Sequence, residues 1–193
     1  MEREIFEELI KWKESESHKP LLLRGARQVG KTWIVRQLGK SFNNYIEVNF
    51  ELEPELKTFF TGSLSPDNIC LKLVGYFNQS IIDGKTLLFF DEIQACPEAI
   101  QSLRFFYEKR PNLHVVAAGS LLEFALRELS SFGVGRIRSM FMYPLSFNEF
   151  LKAANLDNLI KIKKEASPER PLDPVFHKML KEWFIKFLII GGM

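Results

Sequence analysis

The sequence predicts an α/β fold in which helices pack around a parallel sheet. Short apolar segments alternate with helical patterns five times before residue 150, as expected of layered α/β proteins. One of these segments, TLLFFDE at 86–92, is almost continuously apolar, as strands buried on both faces of a parallel sheet are. A glycine-rich turn joins another segment, LLLR at 21–24, to the helix that follows it.

The elements of the first half follow from local patterns. An amphipathic helix is predicted over residues 5–12, where apolar side chains recur at helical spacing, and a second helix begins near Lys31. The loosely alternating segment YIEVNF at 45–50 is predicted as the second strand. A polar, partly helical region separates that strand from the buried strand at 86–92.

The elements of the second half are marked by prolines. Pro97 fits the first turn of a helix that ends before Pro111, and HVVAAG at 114–119 then gives the fourth strand. After a helix around 121–129, the segment RIRSMFMYPL at 136–145 supplies a fifth strand that a proline stops.

Composition changes beyond Phe150, which suggests a domain boundary. We expect residues 1–152 to form one domain and residues 153–174, which are polar, rich in lysine and interrupted by prolines, to form a linker. Residues 175–193 are predicted as the first helix of a further domain. This helix carries too much apolar surface to stand alone in water, so it needs a partner.

The near balance of acidic and basic residues excludes a large electrostatic field of one sign. Lys and Arg number 26 against 24 Asp and Glu, a formal net charge of +2. Such a charge gives no support for tight binding to nucleic acid or to anionic membranes, although local basic patches stay open. Cys70 and Cys96 lack the number and spacing of a disulfide framework or a zinc site, and we predict that both are reduced.

The sequence favours a cytoplasmic location. The opening residues, MEREIFEELIKWK, carry charges throughout and contain no apolar segment of the signal-peptide type. No segment approaches the ~20 apolar residues that span a bilayer, so we expect no membrane partner.

Residues 25–32 read GARQVGKT, which matches the phosphate-binding loop pattern GxxxxGK[ST]. Its two glycines allow successive N–H groups to turn inward around a phosphate, and the following helix adds its positive N-terminal dipole. Lys31 is predicted to reach the β- and γ-phosphates, and the hydroxyl of Thr32 to ligate Mg²⁺. The predicted nucleotide-binding residues are Gly25, Ala26, Arg27, Gln28, Val29, Gly30, Lys31, Thr32 and Trp33.

Two carboxylates end the buried strand at 86–92. In phosphate-loop enzymes an Asp at this position holds Mg²⁺, and the neighbouring carboxylate can deprotonate the attacking water. We therefore assign Asp91 to the metal and Glu92 to the general base. The adjacent Glu favours hydrolysis over transfer of phosphate to a small molecule, and the absence of an NKxD string favours ATP over GTP.

Ser120 follows the fourth predicted strand in the string AAGSLL. If that strand lies between the loop strand and the Asp91 strand, Ser120 lies beside the γ-phosphate and can position the attacking water. Ser120 and Glu123 also form a capping-box pattern for the next helix, and both interpretations stay open.

Arg136 and Arg138 flank Ile137 in the string GVGRIRSM. An arginine delivered to the γ-phosphate accelerates hydrolysis about 10³- to 10⁵-fold, and such ATPases place it near a subunit or domain boundary. We expect the GVG turn to lie near one rim of the nucleotide cleft, where Arg136 could act as a catalytic residue. The alternative is a surface arginine with no part in hydrolysis.

The strings LLLRGARQVGKTW, LLFFDEIQ, AAGSLL, GVGR and YPLSFNEFL occur in this order within residues 1–152. In this combination the chain resembles a large prokaryotic family of AAA-superfamily ATPases, related to STAND and origin-recognition-type ATPases. The resemblance implies a three-layer ASCE-type fold of strand order 5-1-4-3-2, with ATP and Mg²⁺ held as described above. It also implies a further C-terminal domain of poorly defined function, of which this chain would carry only the start.

Two functions of different classes remain at this point. The first is an ATP-hydrolysing switch that acts on an unknown partner, which the C-terminal region would bind. Contact with a second copy of the chain or with the C-terminal domain stays open. The second is a nucleotide-gated binding module, for example a DNA-associated regulator that binds ATP or ADP with little hydrolysis. Turnover of ATP distinguishes them.

Overall fold

The computed structural model describes residues 3–16, 18–120, 122 and 135–192. The chain divides into two compact units. The larger unit runs from Glu7 to Met142, and the smaller unit combines the residues up to Phe6 with those from Tyr143 onward.

The sheet of the larger unit contains five parallel strands within the described residues, in the order β2-β3-β4-β1-β5. This arrangement confirms the predicted fold class and the strand order that the family resemblance implies. The strands are β1 (Leu21–Arg24), β2 (Asn44–Asn49), β3 (Thr86–Asp91), β4 (His114–Ala118) and β5 (Arg138–Phe141).

Helices of the larger unit connect these strands in the alternation that the sequence predicts. Short 3₁₀ helices cover Pro54–Phe60 and Ile93–Ala95. The predicted helix around 121–129 lies outside the described residues, apart from Leu122. The described α-helices that lie wholly or mostly in this unit are α1 (Ile5–Glu14), α2 (Lys31–Gly39), α3 (Pro66–Phe77) and α4 (Pro97–Lys109).

Strand register brings the ends of three strands together. Leu23 of β1 lies opposite Ala118 of β4, and Phe90 of β3 lies opposite Ala117. Because all strands are parallel, the segments that follow β1, β3 and β4 leave the sheet at the same edge. This carboxyl edge is where ligands bind in open α/β sheets.

An aromatic cluster anchors β3 against the helical layer. The ring of Phe90 meets those of Phe50, Phe60 and Phe106 at centroid distances of 6.1, 5.4 and 5.9 Å, and all four side chains are fully buried. Tilted and edge-to-face pairs of this kind each add about 0.5–1.5 kcal/mol to the burial of the rings. The strand that carries Asp91 is therefore held rigidly.

Two histidines stack at the amino end of β4. The rings of His18 and His114 lie 3.7 Å apart and nearly parallel, and Trp12 and Phe42 meet His114 edge-on. His114 Nε2 lies 3.0 Å from the carbonyl oxygen of Lys13. Burial lowers the pKa of His114 to about 4, so His114 is neutral at physiological pH.

The smaller unit is helical, with Leu151, Leu159 and Leu180 at its core. Part of the segment 153–174, which the sequence predicts as a linker, forms a helix. The difference arises because Leu159 is buried among the neighbouring helices, which outweighs the polar, lysine-rich composition. The described helices are α5 (Phe147–Ala153), α6 (Asp157–Glu165) and α7 (Pro174–Ile190).

No helix among the described residues has both the length and the apolar character needed to cross a membrane.

A buried ion pair ties the first described residues to α5. Arg3 Nε donates to Glu149 Oε1 at 2.9 Å, and both side chains are almost fully buried. Glu149 also accepts from the backbone N–H of Glu4 and of Ser146, which completes a capping box at the start of α5. Burial alone would raise the pKa of Glu149, but these hydrogen bonds hold it below its usual range.

We expect acid to destabilise the larger unit through His114. The folded pKa of about 4 lies below the ordinary value of 6.5, so between these values the unfolded chain binds a proton that the folded chain does not. The contribution of His114 to stability is therefore fully present above pH 6.5 and falls by about 3 kcal/mol by pH 4. Denaturant unfolding across this pH range measures the loss.

His114→Phe keeps an aromatic ring in the stack but cannot titrate, so it should flatten part of this pH dependence. His177→Gln is the matched control, because His177 is exposed on α7. An acid loss of stability that is equal in His114→Phe and the wild type would refute the assignment.

Candidate nucleotide-binding site

The loop after β1 is shaped by left-handed backbone conformations. Gly25, Gln28 and Gly30 have φ values of 147°, 66° and 96°, and Gly30 caps the start of α2. At Gly25 a Cβ atom would also overlap the carbonyl oxygen of Met142, so only glycine fits this position. The loop therefore curls closely against the chain that leaves β5.

Lys31 lies within the curve of this loop. Its Nζ atom donates to the carbonyl oxygens of Gly25 and Ala26 at 2.9 and 2.7 Å, and the residue is 7% exposed. Burial lowers the pKa of Lys31, while the carboxylates of Glu92 and Asp91 raise it. The predicted phosphate-binding ammonium thus lies near both predicted acidic residues.

The remaining predicted loop residues differ in exposure. Val29 is buried and anchors the loop, whereas Ala26, Arg27 and Gln28 are exposed. Trp33 is 44% exposed on the first turn of α2. Since the first N–H groups of a helix have no partner within it, the start of α2 at Lys31 is suited to an anion.

Thr32 and Asp91, the two predicted metal ligands, meet directly. Thr32 Oγ1 donates to Asp91 Oδ2 at 2.9 Å, although 59 positions separate the two residues in the chain. Asn49 Nδ2 lies 3.4 Å from the same oxygen, and the Glu92 N–H donates to Oδ1 at 3.1 Å. Burial raises the pKa of Asp91, and the hydrogen bonds from Thr32 and Glu92 oppose that rise. A hydroxyl and a carboxylate side by side are hard oxygen ligands, which suit Mg²⁺.

Glu92, the predicted base, occupies a strained position directly after Asp91. Its backbone is left-handed, with φ 48° and ψ 44°, a conformation uncommon for residues other than glycine. Its Oε2 accepts a hydrogen bond of 2.6 Å from Gln94 Nε2. Strain of this kind costs about 1–3 kcal/mol and is typical of functional sites.

Ser120 follows β4 at the carboxyl edge. β4 lies between β1 and β3, the arrangement in which Ser120 is expected to lie beside a γ-phosphate. The helix that Ser120 would cap lies outside the described residues. Its role in hydrolysis stays a prediction.

Arg136 is not brought to the loop. β5 runs parallel to β1 with Arg138 opposite Leu21, so the turn before β5 lies at the amino edge of the sheet, the opposite edge from Gly25. Arg136 Nε forms an ion pair of 2.7 Å with Glu108 Oε1, and both side chains are partly exposed. The expected place at the rim of this chain's own nucleotide cleft is therefore wrong, because strand direction puts the turn at the other edge.

Two residues of the site were not predicted from sequence. Asn49 reaches Asp91 because β2 and β3 pair in register, and a single sequence does not reveal that register. Gln94 lies in the family string LLFFDEIQ, but its contact with Glu92 appears only in the structure.

Comparison with known proteins identifies a matching family model and similar solved structures, among them two from Aeropyrum pernix. A family model described as an AAA domain matches residues 17–151. The Aeropyrum pernix ORC2 protein, solved in ADPNP–ADP complexes, is similar with a TM-score of 0.52 and 14% identity, covering 80% of this chain and 52% of that one. The Aeropyrum pernix ORC1 protein in complex with DNA gives a TM-score of 0.49 and 16% identity, with 79% and 47% covered. This chain thus spans about half the length of either structure.

Curated proteins give no significant match. The ORC2 likeness supports the fold, and the family match covers both the loop at 25–32 and the acidic end of β3. The chain therefore belongs to the AAA domain family, as an ATP-binding protein of the phosphate-loop, AAA-superfamily type.

Proposed function

We propose that this chain is a Mg²⁺-dependent ATPase, an AAA-type switch whose hydrolytic cycle acts on a partner. The observation that supports this most strongly is the 2.9 Å hydrogen bond between Thr32 and Asp91. It joins the loop to the acidic end of β3, with Lys31 on one side and Glu92 on the other. The groups that phosphate-loop hydrolysis requires within a subunit then lie close to one another.

Each residue has a definite task in this proposal. Lys31 and the N–H groups of the loop bind the β- and γ-phosphates, and Thr32 and Asp91 hold the metal. Bound Mg²⁺ supplies positive charge that offsets the negative charge of the phosphates. The donor set fits this ion because both ligands present oxygen.

Hydrolysis requires a base and an oriented water molecule. Glu92 accepts a proton from water as the water oxygen forms a bond to the γ-phosphorus, and the bond to the ADP oxygen breaks. Ser120 orients that water from the end of β4. The products are ADP and inorganic phosphate, and the proton later leaves Glu92 for solvent.

A second copy of the chain is the partner that the position of Arg136 favours. Because Arg136 lies at the amino edge, away from this chain's own loop, a part in hydrolysis would require the γ-phosphate of a neighbouring subunit. Nucleic acid gains no support from the net charge of +2. The cytoplasmic location stays a sequence-based prediction.

Lys31→Ala should weaken ATP binding. It removes an ammonium group whose charge-assisted contact with phosphate is worth about 1.5–3 kcal/mol, or about 10- to 150-fold in affinity. Titration calorimetry with Mg²⁺ and ATP measures the change. Lys40→Ala is the control, because Lys40 is an exposed lysine that directly follows α2. Equal ATP affinities of Lys31→Ala and the wild type would contradict the proposed site.

Glu92→Gln should separate binding from chemistry. The amide keeps the shape of the side chain but cannot take a proton, so single-turnover hydrolysis should fall by ~10²- to 10⁴-fold while ATP affinity survives. Glu98→Gln, at an exposed position on α4, should hydrolyse ATP like the wild type. If Glu92→Gln retains full hydrolysis, the base lies elsewhere, and if the wild type shows no turnover, the nucleotide-gated binding module is the better account.

Arg136→Ala should lower ATP hydrolysis only in assemblies in which Arg136 of one subunit acts at the nucleotide site of its neighbour. Activity per subunit of the wild type should rise with protein concentration, and a mixture of Arg136→Ala with Glu92→Gln should recover activity. In hybrid assemblies an intact Arg136 faces an intact Glu92, so some sites are complete.

Glu108→Gln is the matched control for Arg136→Ala, because it removes the ion pair but leaves the arginine. A purely structural Arg136 would make both variants alike in stability and leave hydrolysis unchanged. If activity per subunit does not change on dilution and Arg136→Ala hydrolyses ATP normally, the proposal that Arg136 acts on a neighbouring subunit is contradicted.

A further inference from the structure

The side-chain amide of Gln94 meets the ends of three neighbouring strands. Its Nε2 atom donates to Glu92 Oε2, just beyond β3, at 2.6 Å and lies 3.4 Å from Glu51 Oε1, beyond β2. Its Oε1 atom lies against Gly119, which follows β4. β2, β3 and β4 are adjacent in the sheet, so one amide links the three segments that surround the predicted base.

The orientation of this amide follows from its neighbours. The NH₂ group is the only part of the amide that can donate, and two carboxylates lie on that side. The opposite orientation would aim Oε1 at the same carboxylates. As placed, Gln94 Oε1 is buried and has no hydrogen-bond partner among the described residues, an arrangement that is costly for a carbonyl oxygen. Gln94 thus keeps the hydrogen bond from Nε2 to Glu92, although its Oε1 atom accepts none from the described residues.

Gly119 leaves the space that Gln94 occupies. Its φ lies outside the left-handed region, so the backbone conformation does not call for glycine. A Cβ atom at this position would overlap Oε1 of Gln94. The small residue at the end of β4 therefore permits the position of the Gln94 amide.

Glu92 needs such support because its own backbone does not provide it. The residue is left-handed and lies between the end of β3 and a short 3₁₀ helix. The bond from Gln94 fixes Oε2, which leaves Oε1 to accept a proton. Without that bond, the side chain could rotate among several conformations.

We propose that Gln94 is a positioning residue for ATP hydrolysis, which holds the carboxylate of Glu92 toward the attacking water. This inference rests on the proposed function, in which Glu92 is the base. In this role Gln94 acts through Glu92, to which it donates its shortest hydrogen bond, at 2.6 Å. Because Gln94 also lies against Gly119, a displacement of the chain after β4 would disturb the base.

A double-mutant cycle tests this role. Gln94→Met keeps the volume of the side chain but cannot donate, so single-turnover hydrolysis should fall about tenfold with ATP affinity unchanged within about twofold. In a Glu92→Gln background the same change should have no further effect, since there is no base to position. In the nucleotide-free chain, the unfolding effects of Gln94→Met and Glu92→Gln should be non-additive, as expected of residues in contact.

Gly119→Ala provides a second variant that leaves both Gln94 and Glu92 intact. The added methyl group displaces the Gln94 amide, so hydrolysis should fall as in Gln94→Met, again without loss of ATP affinity. Gly75→Ala is the matched control, because a Cβ atom at Gly75 in α3 meets no neighbour, and it should hydrolyse ATP like the wild type.

The outcomes separate this inference from the proposed function. If Glu92→Gln abolishes hydrolysis while Gln94→Met and Gly119→Ala match the wild type, the positioning role is overturned and the ATPase assignment stands. An equal loss from Gln94→Met in the wild-type and Glu92→Gln backgrounds also overturns it. If wild-type turnover is absent or insensitive to Glu92→Gln, the proposed function fails and this inference fails with it.

Discussion

The hydrogen bond between Thr32 and Asp91 depends on the parallel insertion of β4 between β1 and β3. The two residues are far apart in the chain, and this strand order brings the start of α2 to the end of β3. The same edge carries Lys31 and Glu92. If the two segments did not meet, the first would be only a glycine-rich turn and the second only the acidic end of a buried strand.

Burial makes the charges of this edge interdependent. Lys31 and Asp91 are both largely buried, which lowers the pKa of the first and raises the pKa of the second. Each charge is therefore favoured by the presence of the other and by ligands of opposite sign. Such a site suits a highly charged anion that arrives with a divalent cation, because the ligand supplies charges that the buried groups lack.

Local sequence was enough to predict the strands and the loop. LLLR at 21–24 matches β1, and the continuous apolar run before Asp91 and Glu92 matches β3, because burial on both faces leaves a direct trace in composition. Strand pairing leaves no such trace. The contacts of Asn49 and Gln94, and the place of Arg136 at the amino edge, depend on register and direction between distant segments. The helix Asp157–Glu165 was not predicted because it depends on the packing of Leu159 against Leu151 and Leu180, which composition alone does not show.

The dependence of ATP affinity on Mg²⁺ tests the central claim most directly. Titration calorimetry of ATP with Mg²⁺ and with EDTA gives the gain in affinity due to the metal. If Thr32 and Asp91 hold the ion, Asp91→Asn should reduce this gain about tenfold, whereas Glu92→Gln, at the adjacent position, should retain it. An undiminished Mg²⁺ gain in Asp91→Asn would contradict the account.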